Sequence, residues 1–137
     1  VTERPARVLT PPVVRRVARA RILVIDDEPM IAETLQMALA EHEVVAVDTG
    51  TRALELLALD TAFDLVLCDL MMPELSGAGV YDQVKLSSRE LAERFVFMTG
   101  GAFTPNARTF LEGFGGRCLE KPFAVDRILA LLSERQS

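Results

Sequence analysis

The stretch 22–27 reads Ile22-Leu23-Val24-Ile25-Asp26-Asp27, four apolar residues followed at once by two aspartates. Unbroken apolar runs of this kind are typical of strands that are buried on both faces of a parallel sheet. A second run of the same kind is Leu65-Val66-Leu67-Cys68-Asp69. Two such runs predict central strands whose polar ends meet in the crevice at one edge of a parallel sheet.

Strand and helix patterns alternate along the rest of the chain. Strands are expected near 21–26, 43–47, 64–69, 94–98 and 117–120, with helices between them near 29–40, 51–59, 77–86, 105–112 and 124–135. This alternation predicts βαβ units and an α/β fold with a parallel sheet. We expect Thr49 and Thr104 to cap two of the helices and Gly113 to end the helix near 105–112. The polar connection 87–94 has room for one helical turn.

Composition limits the choice of partners. The chain has 137 residues and a net charge of −5. Residues 1–20 hold five Arg and one Glu, a balance of +4, so the other 117 residues carry −9. An acidic domain argues against a nucleic-acid partner, and the longest apolar runs are too short to span a membrane. We expect no nucleic-acid partner and no membrane contact by this segment.

The two cysteines and the single histidine carry little chemistry. If Cys68 and Cys118 occupy the third and fifth strands with one strand between them, two strand spacings separate them by about 9–10 Å, which exceeds disulfide reach. Free thiols indicate a reducing, cytoplasmic compartment. His42 is the only histidine, so a multi-histidine metal site is excluded, and its place between a helix and a strand predicts a surface position.

Five polar side chains follow the ends of predicted strands, and they are Asp26, Asp27, Asp69, Thr99 and Lys121. Carboxylate oxygens are ligands that Mg2+ prefers, and a hydroxyl and an ammonium can hold phosphoryl oxygens. Asp69 is the candidate nucleophile, because carboxylates can form aspartyl phosphates.

Simpler explanations exist for each of the five residues. Asp26 or Asp27 could cap the helix that begins near Pro29, Thr99 could cap a turn, and Lys121 could be a surface lysine. Capping does not account for two carboxylates in one crevice, since they repel each other unless a cation is present.

Residues 21–133 resemble the receiver domain of bacterial response regulators and hybrid sensor kinases. Four motifs carry the resemblance: Ile25-Asp26-Asp27-Glu28-Pro29, Asp69-Leu70-Met71-Met72-Pro73 followed by Gly77, Met98-Thr99-Gly100, and Lys121-Pro122-Phe123. The resemblance implies a doubly wound, flavodoxin-like (βα)5 fold with five parallel strands in the order 2-1-3-4-5.

The resemblance also implies the metal site. Asp27 and Asp69 would bind Mg2+ directly, the Met71 backbone carbonyl would be a third ligand, and Asp26 would act through water. Asp69 would accept a phosphoryl group from a phosphohistidine on a histidine kinase or histidine phosphotransfer domain. The domain would catalyse its own phosphorylation and dephosphorylation without being a turnover enzyme.

The phosphoryl group would contact Thr99 and Lys121. We predict a cis peptide between Lys121 and Pro122, because X–Pro bonds have only a small trans preference and the lysine must turn back into the crevice. Receivers usually carry Tyr or Phe three residues before this lysine, with a ring that turns inward; here the residue is Cys118. The nearest aromatic residue, Phe114, is expected in the preceding loop. We therefore expect activation without an inward-turning ring at position 118.

Three other functions compete with this interpretation. A phosphatase of the haloacid-dehalogenase type would need a carboxylate two residues after the nucleophile, where the chain has Met71. A flavodoxin-like FMN domain would need a phosphate-binding loop at 26–28, where three acidic residues would repel phosphate. The third is a receiver that is not phosphorylated and acts as an interaction module.

The domain organisation follows from the same patterns. Residues 1–20, with three prolines and room for a short helix at 13–20, are expected to be a linker or tail, and residues 21–137 the receiver domain. Because such a stretch is not needed by the fold, we expect the domain to be the C-terminal receiver of a larger hybrid histidine kinase rather than a free-standing regulator.

Overall fold

The computed structural model describes residues 18–100 and 104–136. In these ranges the elements are β1 (Arg21–Ile25), α1 (Pro29–Ala38), β2 (Glu43–Val47), α2 (Gly50–Leu57), β3 (Leu65–Asp69), α3 (Gly77–Ser87), α4 (Arg89–Ala92), β4 (Phe95–Thr99), α5 (Pro105–Phe114), β5 (Cys118–Glu120) and α6 (Val125–Gln136). The strands form one parallel sheet in the order β2-β1-β3-β4-β5. The predicted fold class and strand order are confirmed.

The alternation of side chains along the central strands divides the core into two layers. One layer packs residues such as Leu23, Val66 and Phe97 against helices α2 to α5. The other packs their sequence neighbours, such as Val24 and Leu67, against α1 and α6. Every side chain of β3 and β4 is buried, and full burial of a large apolar side chain contributes about 1.5–3 kcal/mol. The two layers hold the carboxyl ends of β1, β3 and β4 at one edge.

Two of the three predicted helix ends are confirmed, and the third is wrong. The hydroxyls of Thr49 and Thr104 accept hydrogen bonds from backbone N–H groups in the first turns of α2 and α5, at 3.0 and 3.1 Å. The prediction that Gly113 ends α5 is wrong, because the helix continues to Phe114. Gly115 ends it with φ of +63°, a left-handed conformation in which a residue without Cβ is not strained.

Two further segments for which a helix was considered are the connection 87–94 and the stretch 13–20. The polar connection 87–94 contains the one-turn helix α4. Of the short helix expected at 13–20, residues 13–17 lie outside the described residues, and 18–20 are not helical. Within 18–100 and 104–136, no helix combines the length and the apolar character needed to cross a bilayer.

His42 is buried, with 8% of its surface exposed, so the predicted surface position is wrong. Its Nδ1 accepts a hydrogen bond from the backbone N–H of Ala20 at 2.9 Å. The turn after α1 folds against the segment that precedes β1, and the imidazole satisfies a backbone donor that would otherwise be buried without a partner.

Cys68 and Cys118 are both free thiols, as predicted. Cys68 lies on β3 and Cys118 on β5, and β4 lies between these strands. The sheet therefore keeps the two sulfurs apart.

Candidate functional site

Three carboxylates converge where β1 and β3 end. Asp26 and Asp27 follow β1 directly, and Asp69 is the last residue of β3. One oxygen from each lies within 4.8 Å of the others. Asp26 and Asp69 are buried, at 3% and 6% exposure, whereas Asp27 is exposed. The predicted convergence of these three residues is what the structure shows.

Lys121 brings a positive charge to the same place from the end of β5. Its Nζ lies 2.8 Å from Asp26 Oδ2, 3.1 Å from Glu28 Oε1 and 3.5 Å from Asp69 Oδ2. The peptide bond between Lys121 and Pro122 is cis, as predicted. Glu28 was not among the predicted site residues, although it follows Asp26 and Asp27 directly, and it shares the ammonium of Lys121 with Asp26.

Thr99 reaches the same edge as the last residue of β4, with 4% exposure. Asp69 pairs with Met98 in the sheet register, so Thr99 lies one residue beyond the partner of Asp69. The backbone N–H of Lys121 donates to the Thr99 carbonyl oxygen at 2.7 Å. The sheet thus places all five predicted residues at one edge.

Backbone hydrogen bonds orient the two buried carboxylates. Asp26 Oδ1 accepts from the N–H of Glu28 at 2.9 Å, and Asp69 Oδ1 accepts from the N–H of Met71 at 3.2 Å. In both residues Oδ2 is the oxygen nearest Lys121. The N-cap residue of α1 is Glu28, so capping of α1 explains neither Asp26 nor Asp27.

The charges at this edge do not balance. Burial and, after it, the negative charge of Asp26 raise the pKa of Asp69 to about 6, although the positive charge of Lys121 opposes the rise. Burial lowers the pKa of Lys121, but hydrogen bonds to Asp26 and Glu28 outweigh it and leave the pKa above its ordinary value. Lys121 is therefore charged, and it does not neutralise the carboxylates around it.

Close packing requires a glycine at Gly77, the glycine that follows the motif beginning at Asp69. A Cβ at Gly77 would overlap the Asp69 carbonyl oxygen, and its N–H donates to the Leu70 carbonyl at 3.0 Å. The first turn of α3 consequently rests on the backbone of Asp69.

Cys118 is exposed on β5 and pairs with Phe97 in the sheet register. Burial raises the pKa of its thiol, and a hydrogen bond from Thr99 offsets part of the rise. Phe114 was expected in a loop, and this is wrong: it is the last residue of α5, and its ring centroid lies 4.9 Å from that of Phe97. The helix extends far enough to pack this ring on β4.

A family model for the response regulator receiver domain matches residues 22–133. This chain belongs to that family. The receiver domains of this family serve two-component signalling, and the match covers every residue of the site described above. The coarse functional assignment from sequence is therefore confirmed.

Curated relatives are about one third identical to this receiver domain over the aligned residues. Transcriptional regulatory protein DltR of Streptococcus agalactiae is 33% identical over 117 residues, which cover 84% of this chain and 51% of that protein. Response regulator MprA of Mycolicibacterium vanbaalenii is 32% identical over 112 residues, covering 80% and 47%. The chain spans about half the length of these curated relatives.

Solved structures have the same fold. A response regulator receiver domain protein from Clostridium thermocellum has a TM-score of 0.73 and 25% identity, with 85% of this chain and 93% of that chain covered. The non-phosphorylated HemR receiver domain of Leptospira biflexa has a TM-score of 0.68 and 29% identity, with 87% and 95% covered.

Proposed function

We propose that this receiver domain accepts a phosphoryl group on Asp69 from a phosphohistidine, carried by a histidine kinase or a histidine phosphotransfer domain, with Mg2+ as cofactor. One observation carries the proposal: three carboxylates have oxygens within 4.8 Å of one another at one edge of the sheet, and two of them, Asp26 and Asp69, contact the ammonium of Lys121. Phosphoryl transfer needs mainly positioning and charge neutralisation, and this set of groups supplies both.

The acidic cluster fits a magnesium ion by its chemistry. Its donors are hard carboxylate oxygens, and the raised pKa of Asp69 reflects its burial and then its repulsion from Asp26, which a divalent cation would relieve. Asp27 and Asp69 would bind the ion directly, with the Met71 carbonyl as third ligand and Asp26 acting through water. Bound Mg2+ would neutralise charge on the phosphoryl oxygens.

The chain's own groups account for the transfer step. A carboxylate oxygen of Asp69 forms a new bond to phosphorus, the bond from phosphorus to the histidine nitrogen breaks, and its electron pair stays on the imidazole. Lys121 lies beside Asp69 Oδ2 and pairs with one phosphoryl oxygen, while the Thr99 hydroxyl donates to another.

The wider assignment is part of the same proposal. Residues 21–137 form the receiver domain and residues 1–20 a linker or tail, and a cytoplasmic location is supported by the two free thiols. Fusion to a histidine kinase stays a prediction. DltR is a transcriptional regulator by name, and no output of that kind is assigned to this chain.

Labelling with a small phosphodonor tests the proposal. Acetyl phosphate with Mg2+ should add the mass of one phosphoryl group to the protein, and Asp69→Asn should abolish the addition. Asp82→Asn is the matched control, because Asp82 is an exposed aspartate on α3, and it should label like the unchanged protein. Equal labelling of Asp69→Asn, or labelling that ignores Mg2+, would show that the proposal is wrong.

A further inference from the structure

Five aromatic rings form one connected group between the sheet and helices α3 and α5. We call it the ring cluster: Tyr81, Phe95, Phe97, Phe110 and Phe114. Tyr81 contacts the other four, with centroids 5.1 to 5.8 Å apart and interplanar angles of 69° to 88°. Edge-to-face packing of this kind is the preferred arrangement of aromatic rings. Because packed interiors have few voids, displacement of one ring requires the others to repack.

The ring cluster is attached to the strand that carries Thr99. Phe97 precedes Thr99 by two residues on β4, so the two side chains lie on the same face of the sheet. Thr99 is the residue to which we assign a hydrogen bond to the phosphoryl group. A shift of this strand end would change the packing of Phe97.

A second connection runs from Asp69 through α3. The first residue of α3 is Gly77, which is in contact with the Asp69 backbone. Tyr81 lies four residues later on the same helix, about one turn away. The connections from Asp69 and from Thr99 therefore meet at Tyr81, which contacts Phe97 directly.

Phe114 links the ring cluster to the end of α5. Its ring packs against Phe97 and Tyr81, with centroid distances of 4.9 and 5.1 Å. A Cβ at Gly116 would overlap this ring, so the glycine leaves the space that the ring occupies. Cys118 is the register partner of Phe97 but carries no ring, and Phe114 supplies an aromatic contact to Phe97 instead.

We propose that the ring cluster transmits occupancy of the Asp69 site to α5, with Tyr81 linked to the site and Phe114 linked to the helix. The inference rests on the proposed function, because it requires the site to take a phosphoryl group or its mimic. The contacts give the path a physical basis: one strand, β4, and two helices, α3 and α5, share one packed set of rings.

Nuclear magnetic resonance on the full chain can follow both ends of this path. Beryllofluoride with Mg2+ is the probe, and the fluorine signal of the bound species reports occupancy of the site. The chain has one tyrosine and no tryptophan, so a ring-labelled tyrosine gives a single signal from Tyr81. We expect this signal and the backbone amide signals of 106–114 to shift with the same midpoint as the fluorine signal.

Two substitutions separate Phe114 from the rest of the path. Phe114→Leu removes the ring, and Gly116→Ala keeps the ring but displaces it. In both variants beryllofluoride should still bind and the Tyr81 signal should still shift, while the amide shifts in α5 fall below about half. Phe63→Leu is the control, because Phe63 is a buried ring that packs under the Arg21 guanidinium, and it should leave the α5 shifts intact.

The outcomes distinguish this inference from the proposed function. Absence of a bound fluorine signal in the unchanged protein would refute the proposed function, and the inference would fall with it. A bound signal without a shift of Tyr81 would refute the inference alone. Full α5 shifts in Phe114→Leu and Gly116→Ala, or an equal loss in Phe63→Leu, would also refute it, since general loosening of the core would then explain the result.

Discussion

Carboxylates at the two ends of the sheet have pKa shifts of opposite direction. At the amino end, Arg21 pairs with Glu43 at 3.0 Å and with Asp60 at 2.7 Å, and a hydrogen bond from a backbone N–H together with Arg21 lowers the pKa of Asp60. At the carboxyl end, burial and a second carboxylate raise the pKa of Asp69 to about 6. At the amino end, the carboxylates of Glu43 and Asp60 are paired with Arg21. At the carboxyl end, the carboxylates have negative charge that remains for a ligand to neutralise.

This difference separates a structural ion pair from a binding site. Perturbed carboxylates in a crevice are frequent at functional sites, although structural networks also perturb pKa values. Here the direction of the shift distinguishes the two. The surroundings of Asp60 favour its ionised form, whereas the surroundings of Asp69 favour its protonated form.

The largest expected effect is on metal binding at the carboxyl end. Asp27→Ala should weaken Mg2+ binding by about tenfold or more, because it removes a proposed direct ligand. Asp26→Ala should weaken it less, since Asp26 is proposed to act through water. Calorimetric titration with Mg2+ measures both. Asp60→Asn, at the amino end, should leave the affinity unchanged, and a loss there as large as that of Asp27→Ala would remove the distinction between the two ends.

The second effect concerns a buried hydrogen bond at the amino end of the sheet, from the backbone N–H of Ala20 to His42. His42→Ala should destabilise the fold by about 1–3 kcal/mol, because it leaves the buried N–H of Ala20 without its acceptor. Urea unfolding measures the free energy, and hydrogen exchange at Ala20 should become faster. His42→Asn keeps an acceptor close to the position of Nδ1 and should recover part of the loss. Unchanged exchange at Ala20 in His42→Ala would contradict this interpretation.

The third effect is a gain of stability at the carboxyl end. The folded pKa of Asp69, about 6, lies above the ordinary value of 3.8. The carboxyl group therefore stabilises the fold fully below about pH 4, and this stabilisation is lost as the pH rises through 6. Without Mg2+, Asp69→Asn should be more stable than the unchanged protein above pH 6, by about 1–2 kcal/mol after allowance for solvent screening.

Urea unfolding across pH 4 to 7 measures this gain, which should disappear near pH 4. Saturating Mg2+ should reverse the ranking, because the ion stabilises the unchanged protein more than the variant. A variant that is less stable at pH 7 without Mg2+ would contradict the charge imbalance at this edge.

The sequence was informative where apolar runs determine position. The runs 22–25 and 65–68 placed Asp26, Asp27 and Asp69 at strand ends, because a buried parallel strand has few ways to end. Lys121 could be placed in the same way, at the end of β5. The strand order came from the family resemblance, and the structure confirmed it.

Residues whose roles depend on distant contacts could not be predicted. His42 is buried because it meets the N–H of Ala20, 22 residues earlier, and no local pattern reports this. Glu28 pairs with Lys121 across 93 residues. Gly113 and Gly115 could each end α5, and the packing of Phe114 on β4 favours the second.

The smallest expected effect, and the sharpest comparison with Asp69, comes from Asp60→Asn. The pKa of Asp60 is lowered, so its ionised form stabilises the fold above the ordinary pKa and this stabilisation is lost as the pH falls through the folded value. Asp60→Asn should therefore be slightly less stable than the unchanged protein at pH 7, and the difference should vanish in acid below about pH 4. Asp69→Asn should show the opposite sign, with its change between about pH 4 and 6. A urea series extended below pH 4 measures both variants, and salt should weaken the Asp60 effect because its ion pair is partly exposed. If both substitutions shifted stability in the same direction at pH 7, the contrast between a satisfied amino end and an unsatisfied carboxyl end would be wrong, and the raised pKa of Asp69 would no longer support a cation site.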